Sequence, residues 1–220
     1  MERTSGAVGL LGIILGLGAA TLERPWPDSA DTQELARFVE DNRGALLGQS
    51  ILFVLSSALM MVFLVGVRSR LSRREREPAP LASLAFGAGL FGYGANIIGQ
   101  APQLVLTLPS GSGLVPSSAA LLTDLGFVLL ALANLPLAVM FAAIAVDTLT
   151  SGSFPAWTGW WAAAAALGDV ALTVSVATPT GALAPQGWLA YVLYLLPVVW
   201  LVTAAGLLVK RQVPRSAALV

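Results

Sequence analysis

The sequence has no cysteine and no histidine. The first absence excludes disulfides, thiolate metal sites and cysteine nucleophiles. The second removes the commonest metal ligand and the side chain best suited to proton transfer near neutral pH. Any chemistry must therefore rest on carboxylates, hydroxyls, amides, arginine or lysine, and we predict no metal site and no cofactor.

Charged residues are also scarce, at 11% of the 220 residues, whereas soluble globular domains carry roughly 25%. Hydrophobic residues make up 56% of the chain, and its mean hydropathy is +0.80. This composition predicts an integral membrane protein whose surroundings are membrane lipid. The formal net charge is zero, which gives no electrostatic reason to expect a nucleic-acid partner.

The motifs of several enzyme classes are missing. The sequence contains no Walker A motif, no G-x-G-x-x-G turn between a strand and a helix, and no DDxxD motif of prenyltransferase-like membrane enzymes. The glycine-rich stretch "GAGLFGYG" (87–94) lies inside a long apolar segment, which does not favour a phosphate-binding loop.

Six stretches have the roughly 20 mostly apolar residues that a membrane-spanning helix needs. We therefore predict an all-α, single-domain bundle of six transmembrane helices over residues 1–220. The first stretch has no A-x-A-like cleavage site and carries glycines at helix-packing spacing, so we predict that it is retained as a span. The predicted spans are 5–22, 45–67, 81–104, 118–146, 157–178 and 188–209.

Basic residues set the orientation of these spans. Six spans place both termini on one side, and the cytoplasmic side of a membrane protein carries the excess of Lys and Arg. Only Arg24, Arg37 and Arg43 would then lie outside. The sequence therefore predicts cytoplasmic termini, because nine basic residues share that side: Arg3, Arg68, Arg70, Arg73, Arg74, Arg76, Lys210, Arg211 and Arg215.

The first outer connection contains a helix signal over residues 31–42. Asp31 is followed three residues later by Glu34, which is a capping-box pattern. Leu35, Phe38 and Val39 then share one helical face. The pattern predicts a short amphipathic helix at the outer interface, either a passive surface helix or a lid over an outward cavity.

Polar residues within the predicted spans lie mostly in the outer half of the bundle. Tyr93, Asn96, Gln100 and Gln103 are spaced three, four and three apart and so form one stripe along the third span. Such residues face the protein interior, because an unsatisfied polar group in hydrocarbon is costly. We predict an outward-opening pocket between the last four spans, to which Gln49, Asn134, Thr173, Tyr191 and Tyr194 contribute further polar groups.

Two acids fall inside the predicted spans, Asp124 and Asp169. The predicted spans contain no Lys or Arg, so neither acid has a built-in cation partner. We expect the deeper Asp169 to hold its proton and the shallower Asp124 to be ionised, which is a plausible acid/base pair. The alternative is a structural role, in which the polar residues form hydrogen bonds that hold neighbouring helices together. The glycines of the third span likewise fit either close helix packing or room for a ligand.

Three stretches, "ARFVEDNRGALLGQ" (36–49), "VRSRLSRRERE" (67–77) and "FPAWTGWW" (154–161), resemble segments of small six-span membrane proteins common in high-GC bacteria. Those proteins are grouped as domains of unknown function. The resemblance covers nearly the whole chain in layout and implies six spans in the bacterial cytoplasmic membrane. It carries over no catalytic residue.

Three functions fit these features. The first is a binding protein whose outer pocket holds a lipophilic small molecule by its polar end. The second is a cofactor-independent cyclase or isomerase of a lipophilic biosynthetic intermediate, for instance a prenylated one, with Asp169 as the acid and Asp124 as the base or stabiliser. The third is a small permease that works as a homo-oligomer, although the sequence shows almost no polar residues in the cytoplasmic half of the path.

Overall fold

Six helical segments of the computed structural model are long and apolar enough to cross a membrane. The structure describes residues 2–27, 31–73, 79–108, 115–178, 181–184 and 187–210. The α-helices of this part of the chain are α1 (Glu2–Thr21), α2 (Thr32–Asp41), α3 (Arg43–Ser72), α4 (Pro80–Gly99), α5 (Ala101–Thr107), α6 (Pro116–Ser151), α7 (Ala156–Val174) and α8 (Trp188–Val209).

The spanning helices form a closed ring in chain order. α1 packs against α3, α3 against α4, α4 against α6, α6 against α7 and α7 against α8, and α8 returns to α1. Six spans bring residues 2 and 210 to the same end of the ring, where Arg3 Nε donates a hydrogen bond to the Val209 carbonyl at 3.4 Å. Each span therefore has one face toward the ring interior.

The third span, Pro80–Thr107, consists of two helices with a break between them. α4 ends at Gly99, α5 begins at Ala101, and Gln100 lies between them. Pro102 follows at the second position of α5 and has no backbone N–H to continue the α4 hydrogen-bond ladder. By contrast, α6 continues through Pro136 without a break in the helix.

Glycines of α4 let this helix approach α6 closely. A Cβ on Gly92 would lie 2.6 Å from Leu137 Cδ2, and one on Gly99 would lie 2.8 Å from Leu130 Cδ2. The two glycines and the two leucines are each seven residues apart, which fits an antiparallel helix pair. These two glycines therefore serve helix packing, and the space beside them is filled by leucine side chains.

The outer helix α2 is docked on the ends of the spans. Asp31 caps it by accepting a hydrogen bond from the Glu34 backbone N–H at 3.0 Å, as the capping pattern predicts. Leu35 and Val39 are buried, and Val39 packs with Leu46 and with the outer parts of α5 and α6. The amphipathic helix thus covers the outer ends of α3, α5 and α6.

Large side chains fill one half of the ring, which we call the cytoplasmic half because the basic residues predict that it faces the cytoplasm. Phe63, Phe141 and Trp200 are each at most 1% exposed, and the Phe141 and Trp200 rings meet edge to face at 5.5 Å. Phe154, which follows the cytoplasmic end of α6, packs on the other side of Trp200 at 5.9 Å. This apolar packing closes the interior on the cytoplasmic side.

Candidate functional site

Four polar residues from four different spans meet at one depth in the ring. Tyr93 (α4), Asn134 (α6), Asp169 (α7) and Tyr194 (α8) each lie thirteen to seventeen residues from the cytoplasmic end of their helix. At 1.5 Å per residue they are about 20–26 Å from that end. Asp169 interacts electrostatically with both phenols, and the Asn134 side chain lies near the Tyr194 hydroxyl. We call these four residues the central cluster.

Two polar atoms of the central cluster have no hydrogen-bond partner among the described residues. They are Asp169 Oδ2 and Asn134 Nδ2. The two side chains are 2% and 5% exposed, respectively. Thr173, one turn beyond Asp169, does not satisfy the carboxyl group, because its hydroxyl donates to the Asp169 backbone carbonyl at 3.0 Å. Buried polar atoms in proteins nearly always have a hydrogen-bond partner, so these two unpaired atoms require an explanation.

The predicted stripe along the third span is divided between two places. Tyr93 is buried in the central cluster, whereas Asn96 accepts a hydrogen bond from Ser57 of α3 at 3.3 Å. Gln103, which follows the helix break, donates to the Gln49 side chain at 3.0 Å and to the Leu46 carbonyl at 3.0 Å. Asn96, Gln103 and Gln49 therefore hold α3 and the third span together.

Gln100 is buried at the junction of α4 and α5, at 5% exposure. Its backbone N–H bonds to the Asn96 and Ile97 carbonyls and so closes the last turn of α4. Gln100 is therefore the residue at which the third span changes from α4 to α5.

The two acids lie in different environments. Asp169 is buried in the central cluster, but the Asp124 side chain is exposed on α6. The titratable groups that interact with Asp169 in the described structure are Tyr93 and Tyr194. The geometry therefore pairs Asp169 with phenols.

A further acid, which sequence reasoning missed, lies at the outer mouth of the ring. Glu23 follows the outer end of α1, and its Oε1 accepts a hydrogen bond from the Tyr191 hydroxyl of α8 at 3.2 Å. Partial burial raises the pKa of Glu23 above its ordinary value, and the hydrogen bond from Tyr191 offsets part of this rise. The bond joins the first and last spans across the seam that closes the ring. No local pattern could have revealed it, because its partners are 168 residues apart.

The raised pKa of Glu23 predicts a pH-dependent stability. The folded protein holds this proton more tightly than the unfolded chain, so folding stability is lost as pH rises from 4.5, the ordinary value, through the folded-state pKa. We expect Glu23→Gln to remove this decline, because glutamine has no proton to lose. Thermal unfolding in detergent between pH 4 and pH 8 checks the difference between the two proteins. Parallel curves for wild type and Glu23→Gln would contradict the assignment.

A shallow cleft opens between α5 and α6 beneath Trp26. Its cavity volume is about 30 Å³, and it is lined by Gln103, Thr123, Phe127 and several apolar groups. Its polar groups are already paired: Gln103 bonds to Gln49, and the Thr123 hydroxyl donates to the Ala119 carbonyl at 3.0 Å. We take the central cluster as the candidate site, because the cluster has unsatisfied polar atoms.

The cytoplasmic end carries a buried polar group that sequence reasoning also missed. Asp147 is fully buried near the end of α6 and accepts hydrogen bonds from Ser151 at 3.1 Å and from Ser153. Arg70 Nε donates to the Ser153 carbonyl at 2.9 Å, and its guanidinium lies over the Phe154 ring. α3 and α6 extend beyond the predicted ends of their spans, so both charges lie within helices. The spacing of Asp147 and Ser151, one helical turn apart, was the available signal.

Comparison with known proteins gives no relative: no family model, no curated protein and no solved structure matches the chain.

Proposed function

We propose that this multi-pass membrane protein binds a lipophilic small molecule, whose polar end occupies the central cluster. The observation that carries the proposal is the Asp169 carboxyl, which has an oxygen without a partner in the described structure and lies deep between spanning helices. Ionisable groups inside a membrane are costly, and those present commonly serve a function. A ligand that pairs with Asp169 would offset this cost.

The surroundings of the central cluster support a ligand that arrives from the outer side. The cytoplasmic half is closed by Phe63, Phe141 and Trp200. Tyr194, in contrast, is 43% exposed and reaches from the accessible face of α8 to Asn134. Tyr194 is thus the exposed member of the central cluster. On the strength of the resemblance noted above, we propose the bacterial cytoplasmic membrane as the location.

Co-purification tests the binding function. The wild-type protein is extracted from native membranes into lipid nanodiscs, and its organic extract is compared by mass spectrometry with that of Asp169→Leu. We expect at least one lipophilic compound to be enriched with the wild type and lost from the variant. Asp124→Asn is the matched control, since its side chain is exposed, and it should retain the compound. Identical extracts from all three proteins would contradict the proposal.

Acid catalysis is a second candidate, favoured by the position of Asp169 beside the phenols of Tyr93 and Tyr194. In a cyclase or isomerase, the carboxyl would protonate an alkene carbon of the bound molecule, and the resulting carbocation would lose a different proton to the Asp169 carboxylate. Incubation of the co-purified compound with protein in D₂O would then introduce one solvent deuterium, and Asp169→Asn would stop it. A pure binding protein introduces none. The closed cytoplasmic half does not favour the third candidate, an oligomeric permease.

A further inference from the structure

We infer that the polar end of the molecule taken by the central cluster is an amine, bound as a cation against the Asp169 carboxylate. This inference rests on the proposed binding function and adds the chemical class of the ligand. It starts from the charges inside the ring. Asp169 is buried, and a further acid, Glu23, lies at the outer mouth of the ring. Both acids interact electrostatically with the phenol of Tyr194.

Arginines do not neutralise these acids from within the described structure. Arg43 lies across the ring and donates to the Thr107 carbonyl at 2.6 Å, and Arg70 is held at the cytoplasmic end. Arg24 is exposed and donates to the Glu23 backbone carbonyl at 3.4 Å. The described interior of the outer half therefore contains acids without a basic side chain. A buried carboxylate without a positive partner is costly, and a ligand cation can be that partner.

The groups around Asp169 suit an ammonium ion. Tyr93 and Tyr194 supply hydroxyl oxygens near Asp169, and an ammonium N–H can donate hydrogen bonds to such oxygens. The unpaired Asn134 Nδ2 is a donor, so an oxygen acceptor close to the nitrogen of the same ligand would satisfy it. An amine with a neighbouring ether, carbonyl or hydroxyl oxygen would therefore satisfy both unpaired atoms of the cluster.

A neutral ligand would use the cluster differently. It would hydrogen bond to a protonated Asp169, and its binding would not depend on the charge of that residue. The two ligand classes can be separated with a matched pair of probes. One is the N,N-dimethylaminoethyl ether of naphthol, and the other is its neutral isostere, the 3-methylbutyl ether, in which carbon replaces nitrogen.

Binding of both radiolabelled probes is measured by equilibrium dialysis against protein-containing and empty nanodiscs. We expect the amine to bind the wild type at least tenfold more tightly than the isostere, after subtraction of partition into empty nanodiscs. Asp169→Asn should abolish the preference, and Asp169→Glu, which keeps the charge, should retain most of it. Asp124→Asn should behave as wild type. Elution by size-exclusion chromatography as a single species confirms that each variant is folded.

The pH dependence of probe binding tests the amine inference independently. The trimethylammonium analogue of the amine keeps its charge at every pH, so its affinity should rise with pH only as Asp169 loses its proton. The other titratable groups that interact with Asp169, the phenols of Tyr93 and Tyr194, belong to a class with an ordinary pKa of about 10. The measurement is made in a Glu23→Gln background, because Glu23 also titrates, with a pKa that burial raises above its ordinary value.

The outcomes separate the inference from the function on which it rests. Equal binding of both probes, unchanged by Asp169→Asn, would overturn the amine inference and leave a neutral-ligand binding protein. Tighter binding of the neutral isostere than of the amine would also overturn the amine inference. If neither probe binds above empty nanodiscs and no compound co-purifies, the binding function fails too.

Discussion

Asp169→Leu is expected to raise the unfolding free energy of the ligand-free protein by about 1–3 kcal/mol, which is the usual cost of an unsatisfied buried polar group. The carboxyl is 2% exposed, and its Oδ2 has no partner in the part of the chain that the structure describes. Leucine removes the polar atoms from this buried position. For a chain of this size the gain corresponds to a rise of roughly 2–12 °C in melting temperature.

Thermal unfolding in detergent, followed by tryptophan fluorescence, measures the effect. Asp169→Asn is the control, because the amide keeps the polarity and shape of the site and should give little of the gain. The same leucine variant should lose the co-purified compound. A protein that is more stable but empty would show that Asp169 is retained for binding at a cost in stability. A melting temperature below that of wild type would show that Asp169 is a structural residue.

Gly92→Leu is expected to destabilise the protein by about 2–3 kcal/mol, in the upper part of the usual range for overpacking. A Cβ at this position would lie 2.6 Å from Leu137 Cδ2 and 3.3 Å from the Leu137 backbone nitrogen. The side chain can move, but the backbone of α6 cannot do so without separating from α4. The contact between the third and fourth spans should therefore loosen.

Gly87→Leu is a matched control on the same helix, because a Cβ at Gly87 meets nothing within 4 Å. It should be neutral or slightly stabilising, since leucine is a better helix former than glycine. Leu137→Ala in the Gly92→Leu background should restore part of the lost stability by giving the new side chain room. Equal effects of the Gly87 and Gly92 substitutions would contradict the packing assigned to α4 and α6.

Much of the architecture follows from the sequence, because the properties that determine it are local. A run of about 20 apolar residues in lipid must form a helix, whose hydrogen bonds all lie within the segment. The prediction of an all-α bundle of six spanning helices was therefore confirmed, and the predicted last span coincides with Trp188–Val209. The helix that follows Asp31 could be predicted equally well from the sequence, since a cap and an apolar face involve residues only three or four positions apart.

The site depends on which helix faces lie opposite one another. Periodicity placed Tyr93, Asn96 and Gln103 on one stripe, but the break at Gln100 and the contacts with α3 divided them between two places. The span ends were likewise decided by tertiary contacts: helices α3 and α6 continue beyond their apolar runs, and Arg70 there bonds to the Ser153 carbonyl beyond α6.

The sequence by itself determined the class of protein and the number of spans. It also predicted the orientation of the spans from the basic residues and identified Asp169 as a candidate site residue. The tertiary structure decided the rest. Close packing at Gly92 sets the approach of α4 to α6, and the ring brings Tyr93, Asn134 and Tyr194 to the carboxyl. It also left Asp124 exposed. The physical reason is that hydropathy acts on single residues, whereas pairing depends on how rigid helices rotate and approach when their side chains interlock.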